Sequence, residues 1–259
     1  MEPHVGWDEL PYDVKALIEK RIGTVLSAKT VPEGLTCRTA LILSTPSETL
    51  FLKGALIADR SSLEAQRMEA DINEAVGRVS PALRWEAIVD EWHLIAFDFV
   101  DGRHADLTPQ SRDAAIVADA LRRAGSCRAP TGGLVPLLAE RYRQVLRPGD
   151  SEVLEGSSLL HTDTNPHNLL IASQRGYLVD WAMPAIGPAW VDAAQTAVRL
   201  MGYGWEPRDA RMWLSGFPEW GHANPAAKSA FVRVVCDDAT ARFGPYAKEE
   251  NDRYRALLA

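Results

Sequence analysis

Two carboxylates and a carboxamide lie near one another in the chain, each beside a short apolar run. Asp163 and Asn168 precede the run 169–171, and Asp180 follows the run 177–179, so the three groups fall within 18 residues. A carboxylate can orient a hydroxyl nucleophile and accept its proton, and Asp and Asn oxygens are hard ligands suited to Mg²⁺. Phosphoryl transfer depends mainly on positioning and charge neutralisation. The pattern therefore favours phosphoryl transfer.

The elements that must position these groups form a β-rich first part and a mainly helical second part. Helical spacing of apolar residues predicts helices over 8–22, 61–78, 108–125 and 134–147. Apolar runs between turn residues predict strands over 39–43, 49–53, 83–89 and 92–100, with shorter signals at 159–160, 169–171 and 177–179. The character of the chain changes at about 98–103 without a Gly/Ser-rich linker, which predicts two packed parts with a cleft between them.

The segment 161–192 resembles the catalytic and metal-binding loops of the aminoglycoside phosphotransferase family. The family pattern is His-Gly-Asp, two residues, Pro, one residue and Asn, followed further along by Asp before an aromatic residue. Its counterparts here are His161, Asp163, Pro166, Asn168 and Asp180-Trp181. Two positions depart from the pattern, since Thr162 stands where the family usually has Gly, and Pro188 replaces the acidic residue after Gly187.

The family shares the fold of protein kinases, so the resemblance implies an α+β, bilobal protein-kinase-like fold. We expect a small β-rich N-terminal lobe over 1–97 that covers the nucleotide, and a hinge over 98–102. A larger, mainly helical lobe over 103–259 would hold the catalytic loop and the acceptor. The resemblance extends over about residues 30–200 of the chain and is most specific over 161–192.

The resemblance also implies a role for each polar residue of the segment. Asp163 would be the catalytic base, and Asn168 and Asp180 would be the magnesium ligands. His161 and Asp192 would support the site structurally rather than touch the reacting atoms.

Residues of the first part match the nucleotide side of such kinases. Lys53 ends a predicted strand, as their phosphate-contacting lysine does, and Glu69 follows 16 residues later in a predicted helix. Glu69 is the preferred partner of the lysine and Glu64 is the rival. The backbone of Asp98, Phe99 and Val100 would bind the adenine, and the segment 33–38, which has one glycine, lies where the nucleotide loop should be.

The implied activity is a MgATP-dependent O-phosphotransferase that moves the γ-phosphoryl group to a hydroxyl of a small molecule, such as an antibiotic or another natural product. The implied cofactors are Mg²⁺ and ATP, and the residues do not discriminate ATP from GTP. One alternative is a kinase that acts on Ser or Thr of a peptide natural-product precursor. Another is a non-catalytic kinase-like binding module, which the presence of Lys53, Asp163, Asn168 and Asp180 disfavours.

The acceptor site is the least specified part of the sequence. The candidate acceptor-binding carboxylates are Glu206, Glu219, Asp237 and Asp238. Trp205 and Trp220, which lie among Gly and Pro, are candidate pocket walls. Residues 204–259 contain eight acidic and eight basic side chains, so they show no acidic excess that would favour a polycationic aminoglycoside.

Composition excludes several other classes of protein. The formal net charge of −7 and the pI of about 5.4 disfavour a nucleic-acid partner. No apolar run reaches the roughly 18 residues of a membrane span, and no signal-peptide pattern is visible. The three distant cysteines favour neither a disulfide framework nor a Cys-rich zinc site. We expect a cytoplasmic protein without a membrane or an obligate protein partner.

Overall fold

The chain divides into two compact units. A computed structural model describes residues 4–32 and 37–259. The amino-terminal unit comprises Met1–Asp101 and Val179–Ala182, and the carboxy-terminal unit comprises Gly102–Leu178 and Met183–Ala259. The division between Asp101 and Gly102 falls inside the segment 98–102 that we assigned to the hinge. The short stretch Val179–Ala182, which carries Asp180, groups with the amino-terminal unit although it comes late in the chain.

Five strands form an antiparallel sheet among the described residues of the amino-terminal unit. They are β1 (Ser27–Thr30), β2 (Thr39–Ser44), β3 (Thr49–Leu56), β4 (Leu83–Val89) and β5 (Trp92–Asp98). They pair in the order β1-β2-β3-β5-β4, so β3 is central. Strands β2 to β5 confirm the apolar-run predictions. Strand β1 was missed because its sequence, Ser-Ala-Lys-Thr, is half exposed and shows no apolar alternation.

The helix α1 (Tyr12–Ile22) closes the core of this unit. Its buried positions Val14, Ile18 and Ile22 recur at helical spacing and pack in one cluster with the buried leucines of β2, β3 and β5. Full burial of each such aliphatic side chain contributes about 1.5–3 kcal/mol. Gly23 ends the helix at φ +86°, a backbone conformation that other residues disfavour.

The predicted helix over 61–78 consists of two helices, α2 (Arg60–Asp71) and α3 (Asn73–Val76). Asp59 caps α2, because its Oδ1 accepts a hydrogen bond from the backbone amide of Ser62 at 3.2 Å. The buried face of α2 includes Leu63, Gln66, Glu69 and Ala70, so the helix turns one polar and one charged side chain inward. Both of them bear on the candidate site.

The carboxy-terminal unit combines short strands with helices. Its described strands are β6 (Arg103–His104), β7 (Ser158–Leu160), β8 (Leu169–Ala172), β9 (Arg175–Leu178) and β10 (Ala185–Gly187). Strands β6, β8 and β9 form one antiparallel sheet and β7 pairs with β10. The polar segment 161–168 connects β7 to β8, and the segment 188–190 connects β10 to α7.

The helices of this unit are α4 (Asp113–Gly125), α5 (Leu138–Arg141), α6 (Asp150–Val153), α7 (Val191–Gly202), α8 (Pro207–Ser215), α9 (Pro218–His222), α10 (Pro225–Phe243) and α11 (Lys248–Ala256). The prediction of one helix over 134–147 was wrong, because the chain leaves the helical conformation after Arg141, where Tyr142 lies at φ −104°. The observed elements confirm the predicted α+β class. None of the helices in 4–32 and 37–259 is both long and apolar enough to cross a membrane.

Candidate active site

An ion cluster lies in the amino-terminal unit. The Lys53 Nζ donates to Glu69 Oε1 at 3.0 Å and Oε2 at 2.8 Å, and to Asp180 Oδ1 at 2.7 Å. The side chains of Lys53 and Glu69 are only 10% and 8% exposed, whereas that of Asp180 is 26% exposed. The backbone amide of Trp181 also donates to Glu69. Lys53 thus pairs with the glutamate preferred from the sequence, while the rival Glu64 is exposed.

The position of each member of this cluster follows from its element. Lys53 lies on the central strand β3, opposite Ala40 of β2 and Ile95 of β5. Glu69 lies one helical turn after Gln66, whose Nε2 donates to the backbone oxygen of His93 at 2.8 Å and lies 2.7 Å from its Nδ1. Because His93 is fully buried on β5, this contact fixes the rotation of α2 and turns Glu69 toward Lys53.

Electrostatics keep the lysine charged. Burial alone would lower the pKa of the Lys53 ammonium, but the carboxylates of Glu69 and Asp180 outweigh it and raise that pKa above its ordinary value. A charged lysine held between two carboxylates can contact a phosphate oxygen without a change of protonation. Nearby, burial raises the pKa of the Cys37 thiol to about 11, which favours its protonated form at neutral pH.

The remaining nucleotide-side residues lie at the end of β5 and before β2. Asp98 ends β5 and accepts a hydrogen bond from Arg84 Nη1 at 2.7 Å, while the partly buried Phe99 and Val100 follow it outside regular secondary structure. Their contact with an adenine stays a prediction. Most of the nucleotide loop predicted at 33–38 lies outside the described residues, which resume at Cys37.

A second polar group lies in the carboxy-terminal unit, in the loop between β7 and β8. The Asn168 Nδ2 donates to Asp163 Oδ2 and to the Asp163 backbone oxygen, both at 3.1 Å. The backbone amide of Asn165 donates to Asp163 Oδ1 at 3.3 Å. A 3₁₀ turn over Pro166–Asn168, capped by the Asn165 side chain, brings Asn168 back toward Asp163. Its amide nitrogen is committed to Asp163, so Oδ1 is the atom that Asn168 offers to a cation.

Asp192 anchors the start of this loop from the first turn of α7. Its Oδ2 accepts from the backbone amide of His161 at 2.8 Å, and its Oδ1 from that of Thr162 at 2.9 Å. His161 Nδ1 in turn accepts from the backbone amide of Asp163 at 3.3 Å. Burial raises the pKa of Asp192, against the opposing effect of His161 and the two amides. These contacts suit the structural roles predicted for His161 and Asp192.

The donor set fits magnesium. Asn168 supplies an amide oxygen and Asp180 a carboxylate, both hard oxygen ligands, with phosphate and water able to complete the shell. Asn168 belongs to the carboxy-terminal unit and Asp180 to the amino-terminal unit, so their joint ligation of one ion stays a prediction. In the part of the chain that the structure describes, no group of three or more His, Cys, Asp or Glu residues forms a site of another type.

The acceptor residues predicted from sequence occupy varied surroundings. Glu206 and Glu219 are exposed. The indole nitrogen of Trp205 donates to the backbone oxygen of Leu107 at 2.8 Å, which ties it to the fold. Trp220 packs edge-on against Trp190, and Lys228 Nζ lies 4.6 Å from the centroid of its ring. One cation already contacts that ring, so Trp220 is poorly suited to stack against a cationic acceptor.

Sequence reasoning missed a cavity of about 390 Å³ beside α5 and α10. Its charged lining consists of Glu140, Arg141, Arg143, Asp238 and Arg242. It also missed the side-chain contact between Arg141 and Thr162. The substitution of Gly by Thr at 162 was visible in the sequence, but its partner lies 21 residues earlier and no local pattern connects the two.

Comparison with known proteins adds family and fold. Residues 134–227 match the model of the phosphotransferase enzyme family, APH. This range contains Asp163, Asn168, Asp180 and Asp192, whose spacing carried the resemblance. No curated protein matches the chain in sequence.

Several solved structures share the fold at low identity. A thermostable mutant of aminoglycoside phosphotransferase APH(4)-Ia, in ternary complex with AMP-PNP and hygromycin B, aligns with a TM-score of 0.62 and 13% identity over 95% of this chain and 98% of that one. Macrolide 2'-phosphotransferase MphH from Brachybacterium faecium aligns with a TM-score of 0.58 and 15% identity over 95% and 98%. Choline kinase LicA from Streptococcus pneumoniae aligns with 0.55 and 12% over 95% and 98%.

These likenesses extend over nearly the whole chain, so they cover the sheet that carries Lys53 as well as the loop that carries Asp163. At such low identity the structures show the fold alone, and the family match applies to residues 134–227. The resemblance drawn from the sequence is confirmed: residues 134–227 match the phosphotransferase enzyme family, and the chain has the kinase-like α+β fold.

Proposed function

We propose that this protein transfers the γ-phosphoryl group of MgATP to a hydroxyl group of a small molecule. The observation that carries the proposal is the buried ion cluster of Lys53, Glu69 and Asp180 in a chain whose residues 134–227 match the phosphotransferase family. A structural role alone does not explain this cluster well, because apolar residues of similar volume would stabilise a protein core equally well. A charged lysine held ready for a phosphate does explain it.

Each candidate residue has a step in this reaction. Lys53 binds a phosphate oxygen of the nucleotide, and Glu69 keeps its ammonium in place. Asp163 orients the acceptor hydroxyl and takes its proton, while Asn168 holds the Asp163 carboxylate through its amide nitrogen. Asn168 Oδ1 and Asp180 would hold Mg²⁺, which neutralises phosphate charge when bound. The backbone of 98–100 binds the base of the nucleotide, which is adenine in ATP or guanine in GTP.

We place the acceptor at the 390 Å³ cavity, because Arg141 lines it and also contacts Thr162, the residue before Asp163, and we propose that the acceptor is not a polycation. Both carboxylates that line the 390 Å³ cavity are already engaged: Asp238 pairs with Arg242 at 2.9 Å, and Glu140 accepts from the backbone amide of Leu137 at 2.9 Å. The exposed Arg143 also lines the cavity, and it adds positive charge there. A hydroxyl-bearing acceptor that is neutral, zwitterionic or anionic suits this lining better than an aminoglycoside. An antibiotic or another natural product of that kind fits the proposal.

A mass-spectrometric phosphorylation screen with MgATP tests the activity. The acceptors are aminoglycosides, macrolides, peptide antibiotics, choline, sugars and Ser/Thr peptides, and Asp163→Asn is the control enzyme. We expect a phosphorylated product from an acceptor that is not a polycation, and none from the control. A phosphopeptide as the main product would favour the peptide-kinase alternative. Absence of both product and nucleotide binding would favour a non-catalytic binding module.

Isothermal titration calorimetry of MgATP tests the metal ligands separately. Asp180→Asn removes one anionic ligand, so we expect weaker binding of MgATP than in the unaltered protein, with a smaller difference for ATP measured in EDTA. Asp90→Asn, at an exposed turn between β4 and β5, serves as the matched control because it also lies at positive φ. Equal MgATP affinity in Asp180→Asn and the unaltered protein would remove Asp180 from the metal site.

A further inference from the structure

A hydrogen-bond cluster joins the loop that carries Asp163 to the chain that follows Asp180. Arg141 Nη1 donates to Thr162 Oγ1 at 2.5 Å, and Arg141 Nη2 donates to the backbone oxygen of Met183 at 2.5 Å. Thr162 Oγ1 donates to the same Met183 oxygen at 2.6 Å. Thr162 directly precedes Asp163, and Met183 comes three residues after Asp180. We call these three residues the Arg141–Thr162–Met183 cluster.

The backbone conformation at position 162 disfavours threonine, so its presence there calls for a role of its side chain. Thr162 lies at φ +66°, in the left-handed region, where a β-branched residue is disfavoured by about 1–2 kcal/mol relative to its ordinary conformation. Glycine, which the resemblance leads one to expect at this position, would adopt the same backbone without strain. The backbone conformation therefore does not favour threonine over glycine at 162. Thr162 differs from glycine in its hydroxyl, which accepts one hydrogen bond and donates another.

Arg141 suits the other side of the cluster. Its planar guanidinium donates through two different nitrogens to two acceptors from separate loops, which a lysine ammonium does not reproduce with the same fixed geometry. The backbone amide of Thr162 is held independently by Asp192 Oδ1 at 2.9 Å. Thr162 is thus held from its side chain and from its main chain at once, next to the residue proposed as the base.

We propose that Arg141 and Thr162 are positioning residues for phosphoryl transfer, acting through the backbone of Asp163 on one side and through Met183 on the other. This inference rests on the proposed function. Neither side chain is assigned a contact with substrate. Their contribution is to restrict the backbone at both points, so that the carboxylate of Asp163 is held in one orientation when the hydroxyl reaches it.

Three variants at 162 separate the hydroxyl from the backbone. Thr162→Ser keeps the hydroxyl, Thr162→Val keeps the branched shape without it, and Thr162→Gly removes the hydroxyl together with the strain. We expect kcat to fall about tenfold in the valine and glycine variants, since one lost positioning hydrogen bond is comparable to one decade of rate, and to remain within about twofold in serine. The KM for nucleotide should change little, and Thr162→Gly should keep its melting temperature.

Arg141→Lys tests the partner, with Arg208→Lys as the matched control, because Arg208 is an exposed arginine of α8 that does not line the cavity. We expect the kcat of Arg141→Lys to fall as in Thr162→Val and that of Arg208→Lys to stay unchanged. Wild-type kcat in Thr162→Gly would overturn the proposal. So would equal losses in serine and glycine, because they would show that any change at 162 is harmful irrespective of the hydroxyl.

Hydrogen exchange measured by mass spectrometry keeps this inference separate from the proposed function. In the protein without nucleotide, peptides covering 161–164 and 183–186 should exchange faster in Thr162→Gly and Thr162→Val, and at the original rate in Thr162→Ser. If the unaltered protein phosphorylates nothing, the proposed function fails while this exchange pattern still tests the cluster. If exchange in both peptides is the same in all variants, the cluster does not restrict the backbone and the inference fails.

Discussion

The two units hold their candidate catalytic groups in opposite ways. In the amino-terminal unit, Lys53, Glu69 and Asp180 are held by charge, side chain to side chain, although Lys53 and Asp180 are 127 residues apart in the chain. In the carboxy-terminal unit, Asp163 is held within its own loop. Among the contacts that the structure describes, its carboxylate accepts only from neutral donors, the Asn165 backbone amide and the Asn168 side-chain amide.

The difference matches the work proposed for each group. A group that must stay charged to hold a phosphate is best surrounded by opposite charge, since an ion pair stabilises the ionised form. A group that must accept a proton during the reaction is better placed by neutral donors, because a cation in contact would oppose protonation. We therefore expect that removing a charge from the cluster of Lys53, Glu69 and Asp180 mainly lowers the stability of the protein. Removing the charge of Asp163 should mainly lower the rate of phosphoryl transfer.

The largest effect should come from Asp163→Asn. Loss of a general base lowers turnover by about two to four orders of magnitude, which is about 2.7–5.4 kcal/mol of activation free energy. An amide side chain at 163 can accept from only one of Asn165 and Asn168, but Asp163 is less buried than Asp192, so the loss of unfolding free energy should be smaller than in Asp192→Asn. Steady-state rates measure the loss of turnover, and urea denaturation of the same preparation measures the unfolding free energy. Near-original turnover would remove Asp163 from the catalytic role, and a large loss of stability would break the comparison.

Lys53→Met should give the largest loss of stability. It leaves Glu69 and Asp180 facing each other without a cation, and removing one partner of a buried ion pair costs about 3–5 kcal/mol. The double variant Lys53→Met with Glu69→Leu removes the buried carboxylate as well, so it should recover part of that loss. Urea denaturation of both variants measures the difference. If the single variant unfolds at the original midpoint, the cluster is not held by charge as described.

Asp192→Asn should have an intermediate effect. An amide group can accept from only one of the two backbone amides of His161 and Thr162, so one hydrogen bond to a charged group is lost, worth about 1.5–3 kcal/mol. Asp209→Asn is the matched control, because Asp209 also lies in the first turn of a helix but is 42% exposed at its side chain. Denaturation should show less than about 0.5 kcal/mol for that control. Equal losses in both would reduce Asp192 to an ordinary helix-terminal charge.

The smallest effect is a pH dependence at Asp113, where a carboxylate pairs with an exposed arginine. The hydrogen bond from Arg103 is the largest cause that lowers the pKa of Asp113 below its ordinary value. A lowered pKa in the folded state means that this stability is present above the unfolded pKa of about 3.9 and is lost as pH falls through the folded value. Asp113→Asn should therefore flatten the decline in unfolding free energy below that pH. An unchanged acid profile would show that solvent screens the pair completely.

Local patterns in the sequence predicted much of the fold. Helical spacing predicted α1, because Val14, Ile18 and Ile22 must share one face whatever they pack against. Apolar runs predicted β2 to β5 for a similar reason. Prediction from local patterns failed where local and tertiary preferences diverge. At 134–147, one short helix, α5, is present instead of the longer predicted helix. Prediction also failed at β1, whose pairing with β2 depends on backbone hydrogen bonds rather than on an apolar pattern.

The candidate site divides in the same way. The sequence by itself determines the order and spacing of Asp163, Asn168 and Asp180, because such motifs lie within short stretches of chain. It also determines the succession of a β-rich part and a helical part. Only the tertiary structure decided that Glu69 rather than Glu64 reaches Lys53, since that depends on which face of α2 is turned inward by Gln66 and His93. The partnership of Arg141 with Thr162 was likewise decided by folding, because a hydrogen bond between residues 21 apart, outside any common helix or strand, leaves no periodic trace in the chain.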